Sequence, residues 1–133
     1  MRRIYSLFTV MSLLLATTIV TWAKGPKIAD PAKVDADFAF QGEYSGPAGA
    51  DGAKLGIQVI ALGEGQFQAV GYSGGLPGDG WDGDRETLIQ ATGKLENGEV
   101  KVVSPEKGSA IIKKDGTLQT FDLDGQKVHQ LKR

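Results

Sequence analysis

The chain has 133 residues, with 16 acidic and 15 basic side chains, one histidine and no cysteine. The lack of cysteine excludes disulfides, thiolate nucleophiles and zinc sites built on sulfur. The lysines are scattered and no basic stripe alternates with aromatic residues, so the composition argues against a nucleic-acid-binding protein.

The first 23 residues have the pattern of an export signal. Arg2 and Arg3 precede an uncharged apolar run, and Thr21 and Ala23 place small residues at the two positions that an export peptidase reads. We therefore predict a signal peptide over residues 1–23 and a periplasmic or extracellular mature protein. The alternative is an uncleaved anchor, since the run nearly reaches the ~20 residues of a membrane-spanning helix. Only in that case do we expect contact with a membrane.

The remaining 110 residues carry 16 acidic and 13 basic side chains, a formal charge of −3, and fit one domain. Residues 24–36 hold two prolines and little apolar content, which predicts a flexible lead-in. Residues 37–133 are predicted to form a single β-domain.

The β-domain begins with a stretch of alternating apolar residues. Phe38, Phe40 and Tyr44 recur with period two, so DFAFQGEY predicts a half-buried strand. Residues 55–62 and 66–73 then predict two strands joined by a Gly-Glu-Gly turn whose glycines can take positive φ. The first of these ends in VIAL, which is apolar on both faces and predicts a strand end covered on both sides.

Short hairpins follow a glycine-rich loop at residues 74–83. Asn97-Gly98 separates two apolar-containing runs, the strongest short hairpin signal. No stretch after residue 23 combines a 3.6-residue apolar period with a cap, so little or no helix is expected. The later predicted strands are 87–95, 99–103, 109–113, 118–123 and 127–131.

These runs predict an all-β fold of about eight antiparallel strands in a meander. A meander with one apolar face must close on itself or fold into two layers. Because about eight strands close a small barrel, we expect a closed or nearly closed up-and-down barrel. The alternative is a two-sheet β-sandwich.

Few residues carry the signals of catalysis. His129 is the only histidine, no G-x-S-x-G motif is present, and an exposed strand histidine is the simplest interpretation. Paired carboxylates for glycoside hydrolysis cannot be assigned from spacing in a chain with 16 acids. We therefore predict no catalytic residue and no cofactor in this domain.

Trp81 is the strongest candidate for ligand contact, because an indole face can stack on the apolar face of a sugar and flanking glycines allow close approach. Tyr72, Asp79 and Asp82 complete the predicted ligand-binding set. In the alternative interpretation, Trp81 plugs one end of the core. A weaker alternative for the acids is a calcium site made of Asp79, Asp82, Asp84 and Glu86, although their spacing does not match the twelve-residue calcium loop.

One segment of the sequence reads GIQVIALGEGQFQAVGYSGGLPGDGWDG and is preceded by DFAFQGEY. It resembles a module of exported proteins from planctomycete-like bacteria. In those proteins the module precedes a domain of the 3-keto-disaccharide hydrolase family, which has a concanavalin-like glucanase fold. The similarity spans residues 37 to about 131. This sequence does not contain the hydrolase domain, so the resemblance assigns it no catalytic residue.

The resemblance implies two functions. The first is a non-catalytic exported accessory or binding β-domain, with a saccharide or a hydrolase domain as its partner. The alternative is the amino-terminal part of a split or truncated sugar hydrolase. A further possibility is an interaction role through an exposed sheet edge.

Overall fold

Eight strands form one closed antiparallel barrel in the structure, a computed structural model that describes residues 35–133. The predicted signal peptide and residues 24–34 of the predicted lead-in lie outside the described residues. Each strand pairs with its neighbours in sequence, and the last strand closes onto the first. The predicted all-β meander barrel is confirmed.

The elements alternate with short turns along the chain, and the only helices within residues 35–133 are two 3-10 helices, Ala36–Ala39 and Arg85–Thr87. Thr117 to Phe121 pairs with the following strand through a bulge at Thr120/Phe121. The strands are β1 (Gly42–Pro47), β2 (Lys54–Gly63), β3 (Gln66–Ser73), β4 (Ile89–Glu96), β5 (Glu99–Ser104), β6 (Gly108–Ile112), β7 (Thr117–Phe121) and β8 (Lys127–Lys132).

Tight turns of the predicted kind join the strands at one end of the barrel. Asn97 and Gly98 both have positive φ, 50° and 81°, as a two-residue hairpin turn requires. Gly63 and Gly65 also have positive φ as predicted, and Glu64 between them adopts φ 54°. We call this end, with residues 35–41 and Arg133, the closed end; the mouth is the opposite end, with loops 48–53, 74–88, 105–107 and 122–126.

Phe40 seals the closed end. Its side chain is fully buried and meets Phe67 edge to face, with ring centroids 6.0 Å apart. The Tyr44 hydroxyl donates to the Phe40 carbonyl at 2.7 Å, and Arg133 Nη1 donates to the Ala39 carbonyl at 2.7 Å. These bonds hold the entering chain across the bottom of the barrel.

The prediction of a strand over DFAFQGEY is wrong at its start. Ala36–Ala39 is a 3-10 helix because the Asp35 carboxylate accepts the Asp37 N–H at 3.0 Å, a local bond that caps the turn. The buried Asp37 carboxylate in turn accepts the Gly65 N–H at 2.6 Å. Phe38 therefore points outward and is 57% exposed, although the alternation placed it with Phe40.

The prediction that the end of β2 is covered on both sides is also wrong. Ile60 and Leu62 lie on the outer face and are 45% and 62% exposed. Nothing in residues 35–133 packs as a second layer on this part of the barrel, so the closed sheet covers one face only. The inward residue Val59 on the same strand is 3% exposed.

Inward side chains change in size along five of the strands. At the closed end they are large and buried: Phe67, Val100, Ile112, Leu118 and Leu131. Toward the mouth the inward positions of the same strands are smaller or polar: Ala69, Gly71, Ser104, Gly108, Ala110, Thr120 and His129. The interior is therefore densely filled at one end and open at the other.

Replacing Phe40 with alanine should test the seal. Phe40→Ala removes a fully buried ring and should lower the free energy of unfolding by about 3–5 kcal/mol. Phe38→Ala is the matched control and should change it by less than about 0.5 kcal/mol, because the ring is exposed. Urea denaturation of both variants measures the difference; equal losses would show that Phe40 does not seal the barrel.

Tyr44 should make stability fall at alkaline pH. Burial raises the pKa of the Tyr44 phenol above its usual value near 10, against the opposing attraction of the Arg133 guanidinium. The unfolded chain then releases the proton before the folded chain does, so stability is complete below pH ~10 and declines as pH rises through the folded pKa.

Tyr44→Phe should remove this part of the decline. At neutral pH it should cost about 1 kcal/mol, because the Phe40 carbonyl loses its hydrogen bond. Urea titrations at pH 7 and from pH 9 to 11 measure both effects. An unchanged alkaline slope in Tyr44→Phe would contradict the assignment.

Candidate functional site

A cavity of about 510 Å³ enters the barrel from the mouth. It exists because the inward residues of β3 and β6 in this half are small, among them Ala69, Gly71 and Ala110. An eight-stranded barrel is just wide enough for side chains to fill, so small inward residues leave room for one small ligand. The volume lies within the range of about 300–1,000 Å³ that small-molecule sites occupy.

One wall of the cavity is apolar. It is formed by the inward residues of three consecutive strands, β2 to β4, and only Ser73 at the rim adds a hydroxyl to it. None of the inward residues of β2 to β4 that line the cavity carries a charge. The apolar wall consists of Leu55, Ile57, Ala69, Gly71, Ile89 and Ala91.

The opposite wall carries the polar groups. Ser104 on β5, Thr120 on β7 and His129 on β8 occupy inward positions and line the cavity, and Lys107 joins them from the turn after β5. Val102 and Ala110 lie between them. We call Ser104, Lys107, Thr120 and His129 the polar wall.

The expectation of an exposed strand histidine is wrong. His129 is half-buried and lines the cavity. Its direction is fixed by Leu131, two residues on, which is fully buried in the core, and by Thr120, its partner across the β7–β8 ladder. The sole histidine therefore belongs to the candidate site.

The polar wall lacks the hydrogen-bonded chain of a nucleophile, a base and an orienting acid. Asp122 also lines the cavity, but its Oδ1 accepts the backbone N–H groups of Asp124 at 3.0 Å and Gln126 at 2.8 Å. Within residues 35–133 no hydrogen bond joins the His129 imidazole to a carboxylate or a hydroxyl. The described residues therefore contain no assembled nucleophile–base–acid triad at the polar wall.

Trp81 lies on the outside of the barrel rather than at an end of its core. Tyr72, on the outward face of β3, meets Trp81 with ring centroids 5.2 Å apart and planes at 73°. Leu76 packs over Gly56 on β2, where an added Cβ would lie 2.6 Å from the Leu76 nitrogen. The indole Nε1 is buried with no hydrogen-bond partner in the described chain.

The predicted ligand-binding residues do not converge on one pocket. The Tyr72 hydroxyl donates to Gln58 Oε1 at 2.6 Å, and Asp79 pairs with Lys54 at 3.0 Å. Asp82 accepts the N–H of Asp84 at 2.9 Å. Tyr72 and Trp81 form an outer cluster, while Asp79 and Asp82 are exposed loop residues.

The calcium alternative finds no support in residues 35–133, where no three side chains of the kinds that ligate metals are grouped to hold an ion. The acids serve turns instead: Asp84 accepts the Glu86 N–H at 2.9 Å and thereby caps the second 3-10 helix. Such bonds are common in exposed loops and need no cation.

The structure is a closed eight-stranded meander barrel. A cavity with one apolar wall and one polar wall opens at its mouth. No family model, no curated protein and no solved structure matches the chain. The resemblance to the module that precedes 3-keto-disaccharide hydrolase domains therefore stays a prediction. No helix among residues 35–133 is long and apolar enough to cross a membrane.

The cavity was missed at the sequence level although its signal is present. Positions of one parity in β3 read Phe67, Ala69, Gly71, and those of β6 read Gly108, Ala110, Ile112. In both strands the residues are small toward the same end of the barrel. A search for small residues at inward positions on several strands could have located the site.

Two substitutions of Trp81 should separate its packing from its unpaired N–H. Trp81→Ala should cost about 2–3 kcal/mol, less than a core aromatic because the residue is only half-buried. Trp81→Phe should stay within about 1 kcal/mol of the original protein, since the lost area is offset by removal of a buried unpaired donor. Chemical denaturation measures both; equal losses would contradict a role limited to packing.

Proposed function

We propose that this barrel is a non-catalytic binding module that holds one small, largely apolar molecule in its cavity. The observation that carries the proposal is the cavity itself, about 510 Å³ with one wall made of aliphatic side chains and glycine. Concave, mostly apolar sites with a few polar groups are typical of small-molecule binding.

The apolar wall supplies the affinity in this proposal. Removal of apolar surface from water contributes about 25 cal/mol per Å², so a ligand that buries about 200 Å² gains about 5 kcal/mol before the costs of association. The costs of association, about 4 kcal/mol or more, offset most of that gain, so directional contacts must add to the affinity. A fully hydroxylated sugar would gain less here, because its hydroxyls would lose water against aliphatic groups.

Fluorescence of N-phenyl-1-naphthylamine, an uncharged apolar probe, tests the proposal. We expect saturable enhancement with one site per barrel. Ala91→Leu extends a side chain from the apolar wall into the cavity and should weaken probe binding at least tenfold. Gln90→Leu is the matched control, since it adds a leucine to the outer face of the same strand and should leave binding within about twofold.

Circular dichroism and denaturation must show that both variants keep the fold. Equal probe binding by Ala91→Leu and the original protein would place the probe outside the barrel and contradict the proposal. Weakening by Gln90→Leu alone would do the same, in favour of the outer surface.

The saccharide prediction at the outer cluster has its own test. Retardation on an affinity gel containing a β-glucan should disappear in Trp81→Ala and survive in Ala91→Leu if the sugar binds at Trp81. The opposite pattern would support the cavity. The split-hydrolase alternative predicts a hydrolase-type reading frame directly downstream of the codon for Arg133, and an unrelated gene there counts against it.

A further inference from the structure

The polar wall contains hydrogen-bonding groups that the barrel itself does not use. We infer that it binds the carboxylate of a monocarboxylic amphiphile, whose apolar body lies on the apolar wall, and that His129 and Thr120 determine the head-group specificity. This inference rests on the proposed function and adds the chemical class of the ligand.

Thr120 and His129 lie directly opposite each other on β7 and β8. Residues paired in this way have Cβ atoms about 4.5–5.5 Å apart, so both side chains can reach the same ligand atom or the two oxygens of one carboxylate. Thr120 Oγ1 accepts the His129 backbone N–H at 3.1 Å. Its own O–H remains a donor, because a hydroxyl has one hydrogen in addition to its lone pairs.

The His129 imidazole is a second donor in the same place. It forms no hydrogen bond with any residue of the described range 35–133 and is half-buried in the cavity lining. Its ring nitrogens are not among the buried unpaired atoms of residues 35–133, so water reaches them and a ligand can replace that water as their partner. Two neighbouring donors match the two acceptor oxygens of a carboxylate.

The charges that line the cavity also favour an anion. Lys107 contributes an ammonium group and forms no ion pair within residues 35–133, whereas Lys54 is already paired with Asp79. Asp122 is the one acid in the lining, and its Oδ1 is occupied by two backbone N–H groups. The lining therefore holds two lysines, Lys54 and Lys107, against the single carboxylate of Asp122, and this balance of charge favours an anionic head group over a cationic one.

The acids of the mouth loops do not reverse this preference. Asp82 and Asp84 are exposed and do not line the cavity, and each accepts a hydrogen bond from its own loop. Exposed charges are screened over about 8 Å at physiological ionic strength and contribute little. Thr120 and His129 are half-buried and act at contact distance in a lower dielectric, whereas Lys107 is exposed at the rim and contributes a screened charge.

Three probes of equal chain length test the head group. Decanoate, decan-1-ol and decan-1-amine should each displace N-phenyl-1-naphthylamine at pH 7. We expect decanoate to bind at least tenfold more tightly than decan-1-amine, with decan-1-ol in between. Isothermal titration of decanoate at 50 and 300 mM salt should show only a modest loss of affinity, since the contacts lie within the cavity.

His129→Leu should weaken decanoate binding about tenfold and change decan-1-ol binding by less than threefold, because the apolar wall is intact. Thr120→Val is the second variant, with the same direction and a smaller effect. Gln130→Leu places the same leucine at the adjacent outward position and should change neither ligand. Denaturation curves confirm that each variant folds.

Tighter binding of decan-1-amine than of decanoate would overturn the inference, and so would unchanged decanoate affinity in His129→Leu. If the naphthylamine probe enters and Ala91→Leu excludes it, but the three head groups bind equally, only this inference fails. If no probe enters the cavity at all, the proposed function fails with it.

Discussion

The size of the inward side chains determines which half of the barrel is packed and which half contains the cavity. Eight strands enclose an interior that side chains can just fill, so any stretch of wall with small inward residues remains empty. At the closed end Phe40, Phe67 and Leu118 are large and almost completely buried. Toward the mouth Ala69, Gly71 and Ala110 are small, and the cavity follows from that difference.

The two halves of the barrel divide stability and binding between them. Buried aromatic and aliphatic residues at the closed end supply most of the apolar burial that opposes chain entropy. The mouth half adds ladder hydrogen bonds and smaller members of the core cluster, such as Ala69, Val102 and Ala110, which leave room for the cavity. Bonds such as that from Arg133 to the Ala39 carbonyl add to the closed end.

Local patterns predicted the barrel well because hairpins are local structures. Two hairpin turns form at short local sequences, Asn97-Gly98 and Gly63-Glu64-Gly65. The alternation of apolar residues in β3 and β5 determines which side chains point inward, without any contribution from distant residues. Eight strands joined in this way have few ways to cover one apolar face. Closure thus followed from the number of strands and from the shortness of their connections.

Contacts between residues far apart in the sequence determine the side-chain positions that local patterns did not predict. Phe38 has the spacing of a strand residue, but the Asp35 cap forms a 3-10 turn. The Gly65 N–H, 28 residues away from Asp37, donates to the Asp37 carboxylate and holds that turn against the barrel with Phe38 outward. Val128 and Leu131 favour opposite faces of β8, so sequence alone could not tell that His129 points inward. The outer position of Trp81 depends on the approach of its loop to Gly56 on another strand.

Arg133 donates hydrogen bonds to the carbonyls of Ala39 and Gln41, and these bonds determine where the ends of the described chain lie. They bring the two ends of the described chain to the same side of the barrel, opposite the mouth. A polypeptide joined to either end would leave from the sealed base, and a tether or a fused domain attached there would keep the entrance unobstructed. The same proximity makes the barrel suited to circular permutation, with new ends opened in a rim loop such as residues 48–53.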